Sequence, residues 1–454
     1  MTGPHSGSLG DAIAWLDRHI NLEAIERGAA GRAAEPTLAR IGALMTAMGD
    51  PQRAYPVIHI TGTNGKGSTT RLATALLMAQ GLSVGTITSP HLEVMNERIT
   101  KDLQPISDDE LLDVLVALEE LEGFVLARGL SALPPTWFEL VTAAAYRHFA
   151  DAPVDAAVVE VGLGGRWDAT NVADGQVAVV TNVALDHVEI LGPTTAHIAR
   201  EKAGIVKAGA TVVVGETDEE VVEIVAEQAS AVGAGPLWRR GPDFACTSSL
   251  IAVGGRVVDL RTPGRDYDGL YLPLHGAHQG DNASAALTAA EAFFGAPLDE
   301  AVVAEAFGAV TVPGRLEVAS RRPLVVLDGA HNPAGAAVLG QALEEDFAAA
   351  ERIVLVVGCL RGRDPAELLS KLPLARVSLL VACAPASPRA QAAKLVAEAA
   401  IGLGIATVAA DEVDDALDRA LAEAGPDDLV LVTGSLYVVG AARTYFRRLG
   451  SIGP

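Results

Sequence analysis

The stretch HITGTNGKGSTTR, from His59 to Arg71, combines three glycines, a lysine and several hydroxyl side chains. It follows the apolar run Val57-Ile58-His59-Ile60, which reads as a buried strand. It leads into a segment that reads as a helix from about Gly67 to Gln80. A strand, a glycine-rich turn and a helix N-terminus make an anion cradle. Backbone N–H groups converge on the anion and the helix end adds its partial positive charge. Glycine lets the backbone approach that closely. Thr63, Asn64, Gly65, Gly67 and Ser68 then line the phosphates of ATP, and Lys66 supplies a full charge to the β- and γ-phosphates. A hydroxyl at Ser68 or Thr69 is placed to face Mg2+. The spacing departs from the usual G-x-x-x-x-G-K-[ST], because Gly67 separates Lys66 from Ser68 and the interval before Gly65 is short.

Further polar residues cluster where strands should end. TSPHL (from Thr88), EVGLGGRWDATN (from Glu160) and TNVALDHVEILG (from Thr181) each lie at or just beyond the carboxyl end of an apolar run, and IAREKAGI (from Ile198) follows. Ligands bind at such ends in open α/β sheets. Ser89, Glu160, Asp186 and His187 on one edge beside the cradle would assemble a Mg2+–ATP site. Glu160 inside an apolar strand needs a partner or a metal. Ser89 before Pro90 also fits a plain turn, His187 a helix cap or core position, and Lys202 a salt bridge with Glu201 or a neighbour.

The elements that must position these groups alternate. Strands are expected at VIHI (from Val57), VGTIT (from Val84), AAVVEVG (from Ala156), VAVVTNV (from Val177) and TVVVG (from Thr211). Their continuous apolar character points to a parallel sheet covered on both faces. Capping boxes at Ser107-x-x-Glu110 and Thr217-x-x-Glu220 open two of the intervening helices. Near residue 248 the pattern changes to short strands around Gly254-Gly255, a small antiparallel sheet, and then a helix from about Asp281 to Phe294. After VTVPGRLEV the alternation restarts, with strands at LVVLDGA (from Leu324), IVLVVGCL (from Ile353), VSLLVACA (from Val377), TVAA (from Thr407) and LVLVTGS (from Leu429). The expectation is an α/β chain. Residues 1–310 form a P-loop ATPase domain with a mostly parallel sheet and a small antiparallel subsheet. Residues 311–454 form a smaller Rossmann-like C-terminal domain.

Composition narrows the partners. A net charge of −23 disfavours nucleic acid and anionic membranes, and any positive potential for a polyanionic ligand must be local. The three cysteines fit no disulfide framework, and Cys359 and Cys383 lie in apolar runs expected to be core. The start, MTGPHSGSLGDA, lacks a basic region followed by an apolar segment, and no apolar run is long enough to span a bilayer. A cytoplasmic protein is expected.

GTNGKGST closely resembles the P-loop of folylpolyglutamate synthase and dihydrofolate synthase, in the Mur ligase superfamily. The other segments match that family in order, from about Thr61 to Gly440. The resemblance implies that Ser89 and Glu160 hold one Mg2+ on the ATP phosphates and that Glu160 shares a second with His187. A monovalent cation such as K+ is a further candidate. It implies a carbamylated Lys202, since a free ammonium cannot ligate a metal. From PGRLEV and LDGAHNPAG, Arg315 and Asp328 would bind ATP across the cleft, with His331 and Asn332 near the glutamate substrate. DNASAAL implies a nucleotide contact from Asn282, and TGSLYVVG (from Thr433) reads as mainly structural. Alternatively His-Asn-Pro is a turn that starts a helix at Pro333. Phe138, Glu139, Trp167, Asp168 and Ala169 are the implied contacts to the folate or dihydropteroate acceptor. Trp137, Phe138 and Trp167 offer a stacking face, helix core being the equal alternative for these aromatics. The segment INLEAIERG (from Ile20) falls where family members touch the pterin.

The implied reaction is ATP-dependent amide formation. An acceptor carboxylate attacks the γ-phosphate, and L-glutamate attacks the resulting acyl phosphate, releasing ADP and phosphate. Lys66, Lys202 and His331 are the implied catalytic residues. The family habit is a monomer. Two other readings are a Mur-type ligase with a different acceptor, such as a muramyl peptide, and a catalytically silent nucleotide-binding protein. The GKGS loop and EVGLGGRWDATN speak against the first. The presence of Lys66, Glu160 and His187 speaks against the second.

Overall fold

A computed structural model of the chain describes residues 7–24 and 35–452. Its first sheet contains β1 (Val57–Thr61), β2 (Val84–Ile87), β3 (Ile99–Lys101), β4 (Gln104–Pro105), β5 (Ala156–Glu160), β6 (Val177–Val180), β7 (Thr211–Val214) and β8 (Leu237–Arg239). The order is β4-β3-β2-β5-β1-β6-β7-β8. The pairs from β2 to β8 are parallel, and the short β3 and β4 add an antiparallel edge. Every residue of β1, β5 and β6 is buried, as their unbroken apolar runs require.

Both faces of this sheet are covered. The helix Lys66–Ala79 packs Leu72, Leu76 and Leu77 between the sheet and the helix His278–Phe294. Each such side chain, fully buried, contributes about 1.5–3 kcal/mol. The helices Leu9–Leu16, Ala39–Ala47, Asp108–Ala127 and Trp137–Asp151 form a core on the opposite face with Ile87, Ala157 and Val159. β9 (Ala245–Ala252), β10 (Gly255–Arg261) and β11 (Asp266–Leu272) form the expected antiparallel sheet, in the order β11-β10-β9.

The separate C-terminal sheet has the order β12-β13-β17-β14-β15-β16. It is built from β12 (Glu317–Arg321), β13 (Leu324–Leu327), β14 (Ile353–Val357), β15 (Val377–Ala382), β16 (Thr407–Ala409) and β17 (Leu429–Thr433). Only β12 runs antiparallel. Cys359 and Cys383 are buried in its two cores.

Local signals held with one exception. Ser107 and Glu110 form their capping box. Asn332 caps the helix Pro333–Glu345, with Pro333 in its first turn. Thr217, however, does not cap the helix Glu219–Val232. Asp218 does, accepting from the backbone N–H groups of Glu220 and Val221. A carboxylate one residue later is the stronger acceptor at a helix N-terminus, where it also meets the dipole favourably.

The two sheets are tied at several points. The loop after β2 lies so close to the C-terminal helix Leu436–Arg448 that a Cβ at Gly440 would sit 1.8 Å from the Leu92 carbonyl oxygen. Beside that contact, Glu93 receives Arg443 at 2.6 Å and Arg447 at 2.8 Å. On the other side, Arg256 of β10 reaches Asp346, past the end of the helix Pro333–Glu345, and Glu345 at 2.7 Å. The Arg256 and Asp346 side chains are 3% and 0% exposed. Burial opposes ionisation of Asp346, but His275, Arg256 and the Gly276 N–H together hold its carboxyl below the ordinary range. A carboxyl so lowered stabilises the fold above its unfolded value, about 3.9. That contribution is lost as pH falls below this value toward the folded one. Replacing Arg256 by Met removes the guanidinium partner of a buried carboxylate, at a cost of about 3–5 kcal/mol. Urea unfolding at pH 7 should show this loss in the variant, and the gap from the parent should narrow as pH is lowered below 4.

Candidate active site

The glycine-rich turn after β1 is held by the segment that follows β6. The Thr63 N–H donates to the Asn182 carbonyl at 2.9 Å, and the Thr181 hydroxyl donates to the Asn64 carbonyl at 2.7 Å. The Asn64 N–H donates to Asn182 Oδ1 at 2.9 Å. Gly65 has φ +81°, and a Cβ there would stand 2.5 Å from Asn282 Oδ1. Glycine is therefore required on two counts, backbone conformation and room. The helix begins at Lys66, so its N-terminus opens into the turn.

Two lysines converge on one carbonyl. Lys66 Nζ donates to the carbonyls of Gly62 and Thr63, both at 3.1 Å, and Lys202 Nζ donates to that of Gly62 at 2.7 Å. Burial lowers the pKa of both ammonium groups, with Glu160 and Asp186 opposing this at Lys66. Lys202 is 3% exposed and lowered well below its ordinary value, first by burial and then by Lys66. The expected alternative of a Glu201 salt bridge is not what forms. Among the described residues Lys202 has no ion pair.

Glu160 closes β5, one strand over. It is 4% exposed, and burial raises its pKa against the pull of Lys66. Its hydrogen bond comes from the Ser89 N–H at 3.2 Å. Asp186 is a hub. Arg363 donates to it, Asn332 Nδ2 donates to it at 2.9 Å, and His187 and His331 lie 3.7 and 3.9 Å away. Burial acts upward on its carboxyl, but His187, Arg363 and His331 outweigh it and lower the pKa, and at neutral pH the charge that does so is that of Arg363. Burial lowers His187.

The second sheet supplies the opposite wall. Asp328 accepts from the N–H groups of Leu316 and Ala330 at 3.0 and 2.9 Å, beside Arg315. Asn332 and Asn64 exchange side-chain hydrogen bonds at 3.1 and 3.3 Å across the cleft. His331 Nδ1 lies 2.8 Å from the Gly329 carbonyl. A carbonyl only accepts, so Nδ1 carries the proton and Nε2 presents its lone pair toward Asp186. Burial, then Arg363, brings His331 down to about 4.

One cleft thus gathers Thr63, Asn64, Gly65, Lys66, Gly67, Ser68, Ser89, Glu160, His187, Lys202, Asn282, Arg315, Asp328 and His331. The five residues expected at the acceptor lie outside its lining. Phe138 is half-buried against Gly162. Glu139 caps its own helix with Thr136 and pairs with buried Arg40 at 2.9 Å. Asp168 accepts from Leu163 N–H at 2.9 Å and from Thr170, and Ala169 is core. Trp167 is 48% exposed, whereas Trp137 is buried with Arg98 over its ring. Of INLEAIERG, residues 25–28 lie outside the described residues. Two site residues went unread in the sequence: His278, which lines the cleft, and Arg363, which reaches Asp186 and His187 at its edge. His278 is one helical turn before Asn282, and Arg363 follows β14 in the same strand-end position as the other site groups.

Among the described residues no three His, Cys, Asp or Glu side chains gather closely enough to hold an ion by themselves. The oxygen donors of Ser89 and Glu160 nevertheless suit a hard cation whose shell a phosphate completes, whereas His187 Nε2 faces Arg363 Nη2 at 3.3 Å. Glu160, buried with a single hydrogen bond, has acceptor capacity to give it.

Comparison with known proteins agrees with this arrangement. A model of the Mur ligase middle domain matches residues 134–290, and a model of the Mur ligase glutamate ligase domain matches residues 314–436. The Mycobacterium tuberculosis dihydrofolate synthase/folylpolyglutamate synthase is 40% identical over 98% of both chains. The structure of the M. tuberculosis folylpolyglutamate synthase complexed with ADP superposes with a TM-score of 0.89 at 39% identity, covering 96% of this chain and 98% of that one. The Escherichia coli FolC structure in complex with DHPP and ADP gives 0.82 at 29% identity, covering 99% and 100%.

The electrostatics of the cleft can be read directly by NMR. The His331 ring, identified by its loss in His331→Gln, should titrate near pH 4. Arg363→Gln should move that midpoint upward toward the ordinary 6.5, since a neighbouring cation is removed. An unchanged midpoint would mean that burial alone sets it.

Proposed function

The chain belongs to the folylpolyglutamate synthase and dihydrofolate synthase family of the Mur ligase superfamily, and from that membership we infer how its cleft works. It is an ATP-dependent ligase that joins L-glutamate to a folate-type carboxylate. The observation that carries the residue assignments is the facing of two walls. Lys66 and its cradle come from the first sheet, and Arg315, Asp328 and His331 come from the second.

The cradle of Thr63 to Ser68 takes the phosphates, with Asn282, Arg315 and Asp328 holding the nucleotide from across the cleft. An acceptor carboxylate attacks the γ-phosphate, ADP leaves, and the α-amino group of L-glutamate displaces phosphate from the acyl phosphate. Lys66 and Arg315 offset the charge on the transferred phosphoryl group. His331 is unprotonated at neutral pH, and its Nε2 accepts a hydrogen bond from the incoming amine. Arg363, beside His187 and His331, suits a carboxylate of that glutamate. Closing the two walls keeps water from the acyl phosphate.

Ser89, Glu160 and His187 would hold Mg2+, which when bound screens the phosphate charges from the attacking carboxylate. Two such ions, with K+ as a further candidate, extend this reading. The lowered pKa of Lys202 and its lack of a carboxylate partner support carbamylation, because only the neutral amine reacts with carbon dioxide. We assign the acceptor ring to the side where Phe138 packs on Gly162 and Asp168 holds the Leu163 N–H, beside exposed Trp167, with Glu139 and Ala169 behind them in structural roles. We place the domain division at 310/311, between the helix Glu300–Gly308 and β12. We take the enzyme to act as a cytoplasmic monomer. No helix among the described residues is long and apolar enough to cross a membrane.

ADP release with MgATP and L-glutamate should depend on dihydropteroate or tetrahydrofolate. Turnover of both would make the enzyme bifunctional. Lys66→Ala should lower turnover by about 10²–10³-fold, and release without any folate acceptor would overturn the reading. With 13C-bicarbonate, a carbamate signal should appear in the parent and be missing in Lys202→Met.

A further inference from the structure

The cleft accounts for Arg363 but not for two further guanidinium groups beside it. The loops after β14 and β15 are joined edge to edge. Leu360 and Ala390 form an antiparallel bridge, the Arg361 N–H donates to the Arg389 carbonyl at 2.8 Å, and the Gln391 N–H donates to that of Cys359 at 2.9 Å. Gly362, at φ +83°, makes the turn between Arg361 and Arg363. One ledge therefore carries Arg361, Arg363 and Arg389.

Its two ends are located by contacts. Arg363 reaches Asp186 and His187 inside the cleft. Arg389 donates to the Glu23 carbonyl at 3.2 Å. The Glu23 carboxylate pairs with Arg98 at 2.6 Å, and Arg98 covers Trp137, next to Phe138. The ledge thus runs from the reacting centre toward the region assigned to the acceptor ring. Arg361 is exposed and donates only to the Pro388 carbonyl, and Arg389 is half-buried. Neither pairs with a described carboxylate. In a chain with 57 acidic and 34 basic residues, two guanidiniums without a carboxylate partner on this path leave local positive charge that suits an anionic ligand.

The acceptor supplies one. Each γ-linked glutamate added to a folate leaves its α-carboxylate free, so a growing tail gains one negative charge per residue. Its terminal carboxyl must reach the cleft, and the earlier residues then lie outside it. We propose that Arg361 and Arg389 form a subsite for the α-carboxylates of a poly-γ-glutamyl acceptor tail. This rests on the folate-ligase reading above. Guanidinium suits the task because it stays charged and binds carboxylate in a forked geometry.

The test is Arg361→Gln/Arg389→Gln in the full chain, with acceptors carrying no glutamate (dihydropteroate) and with one, two and three. The parent should show KM falling with tail length, and this gain should shrink at high salt. The double variant should raise KM for the triglutamate at least tenfold and for the monoglutamate much less. Its kcat, its KM for L-glutamate and its dihydropteroate turnover should be unchanged. Arg361→Lys/Arg389→Lys should restore part of the length dependence. Equal KM changes for every acceptor, no change for any, or a rise in KM for L-glutamate with dihydropteroate would overturn the proposal, the last by assigning the ledge to the incoming amino acid. A parent that uses dihydropteroate but no glutamylated acceptor would also overturn it while leaving the ligase reading intact. A parent that uses no folate acceptor would overturn that reading itself.

Discussion

Two buried ammonium groups share the carbonyl of Gly62, and much of the molecule exists to make that arrangement tolerable. Bringing positive charge out of water is costly unless neighbours compensate it. Here Glu160, at the end of β5, and Asp186, in the loop after β6, do so from the two strands that flank β1; Glu160 depends in turn on Lys66, and Asp186 on His187, Arg363 and His331. The residues that hold this charge balance are spread along the first half of the chain. They meet because parallel strands bring their carboxyl ends to one edge. The sheet order, with β1 between β5 and β6, is what puts Lys66, Glu160 and Asp186 together.

The same balance explains an acidic chain that handles polyanions. Positive groups gather in one cleft and on the ledge beside it, in a chain whose net charge is −23. Asp186 deserves its central place for this reason. It is bonded to Arg363 and Asn332 from the second sheet, so the charge in the first wall is completed by groups from the other. The cleft is not a pre-formed cup with a lid.

Much of this was legible in the residues. Every strand expected from a continuous apolar run formed, because runs of Val and Ile flanked by strand-end polar residues have few other places to go. The phosphate cradle was legible because glycine, lysine and hydroxyls at that spacing have little other use. Three things were not. Asp218 displaced Thr217 as a cap because a charged acceptor one residue away competes better, a contest that a pattern of residue types does not rank. Arg363 was passed over because CLRGRDP looks like an ordinary loop, and only the pairing of β14 with β17 brings it round to His187. The aromatic and acidic residues near Trp137 were ambiguous because burial and ligand stacking select the same side chains. Glu139, with Arg40 and its own helix end as partners, shows how fully a structural role can occupy a candidate.

The contact of Leu92 with Gly440 carries a consequence for how the two halves of the enzyme communicate. No side chain separates the loop from the helix, and Glu93 is clamped there by two arginines. The loop that carries Ser89 is therefore shared between the bodies: Glu160 and Glu97 hold it to the first, and Gly440 with the two arginines holds it to the second. A rotation of one body on the other would load the bond between the Ser89 N–H and Glu160. By reciprocity of coupled equilibria, whatever draws Ser89 and Glu160 together also does work on the angle between the bodies. A few cubic ångströms withheld at one glycine turn a local binding event into a torque.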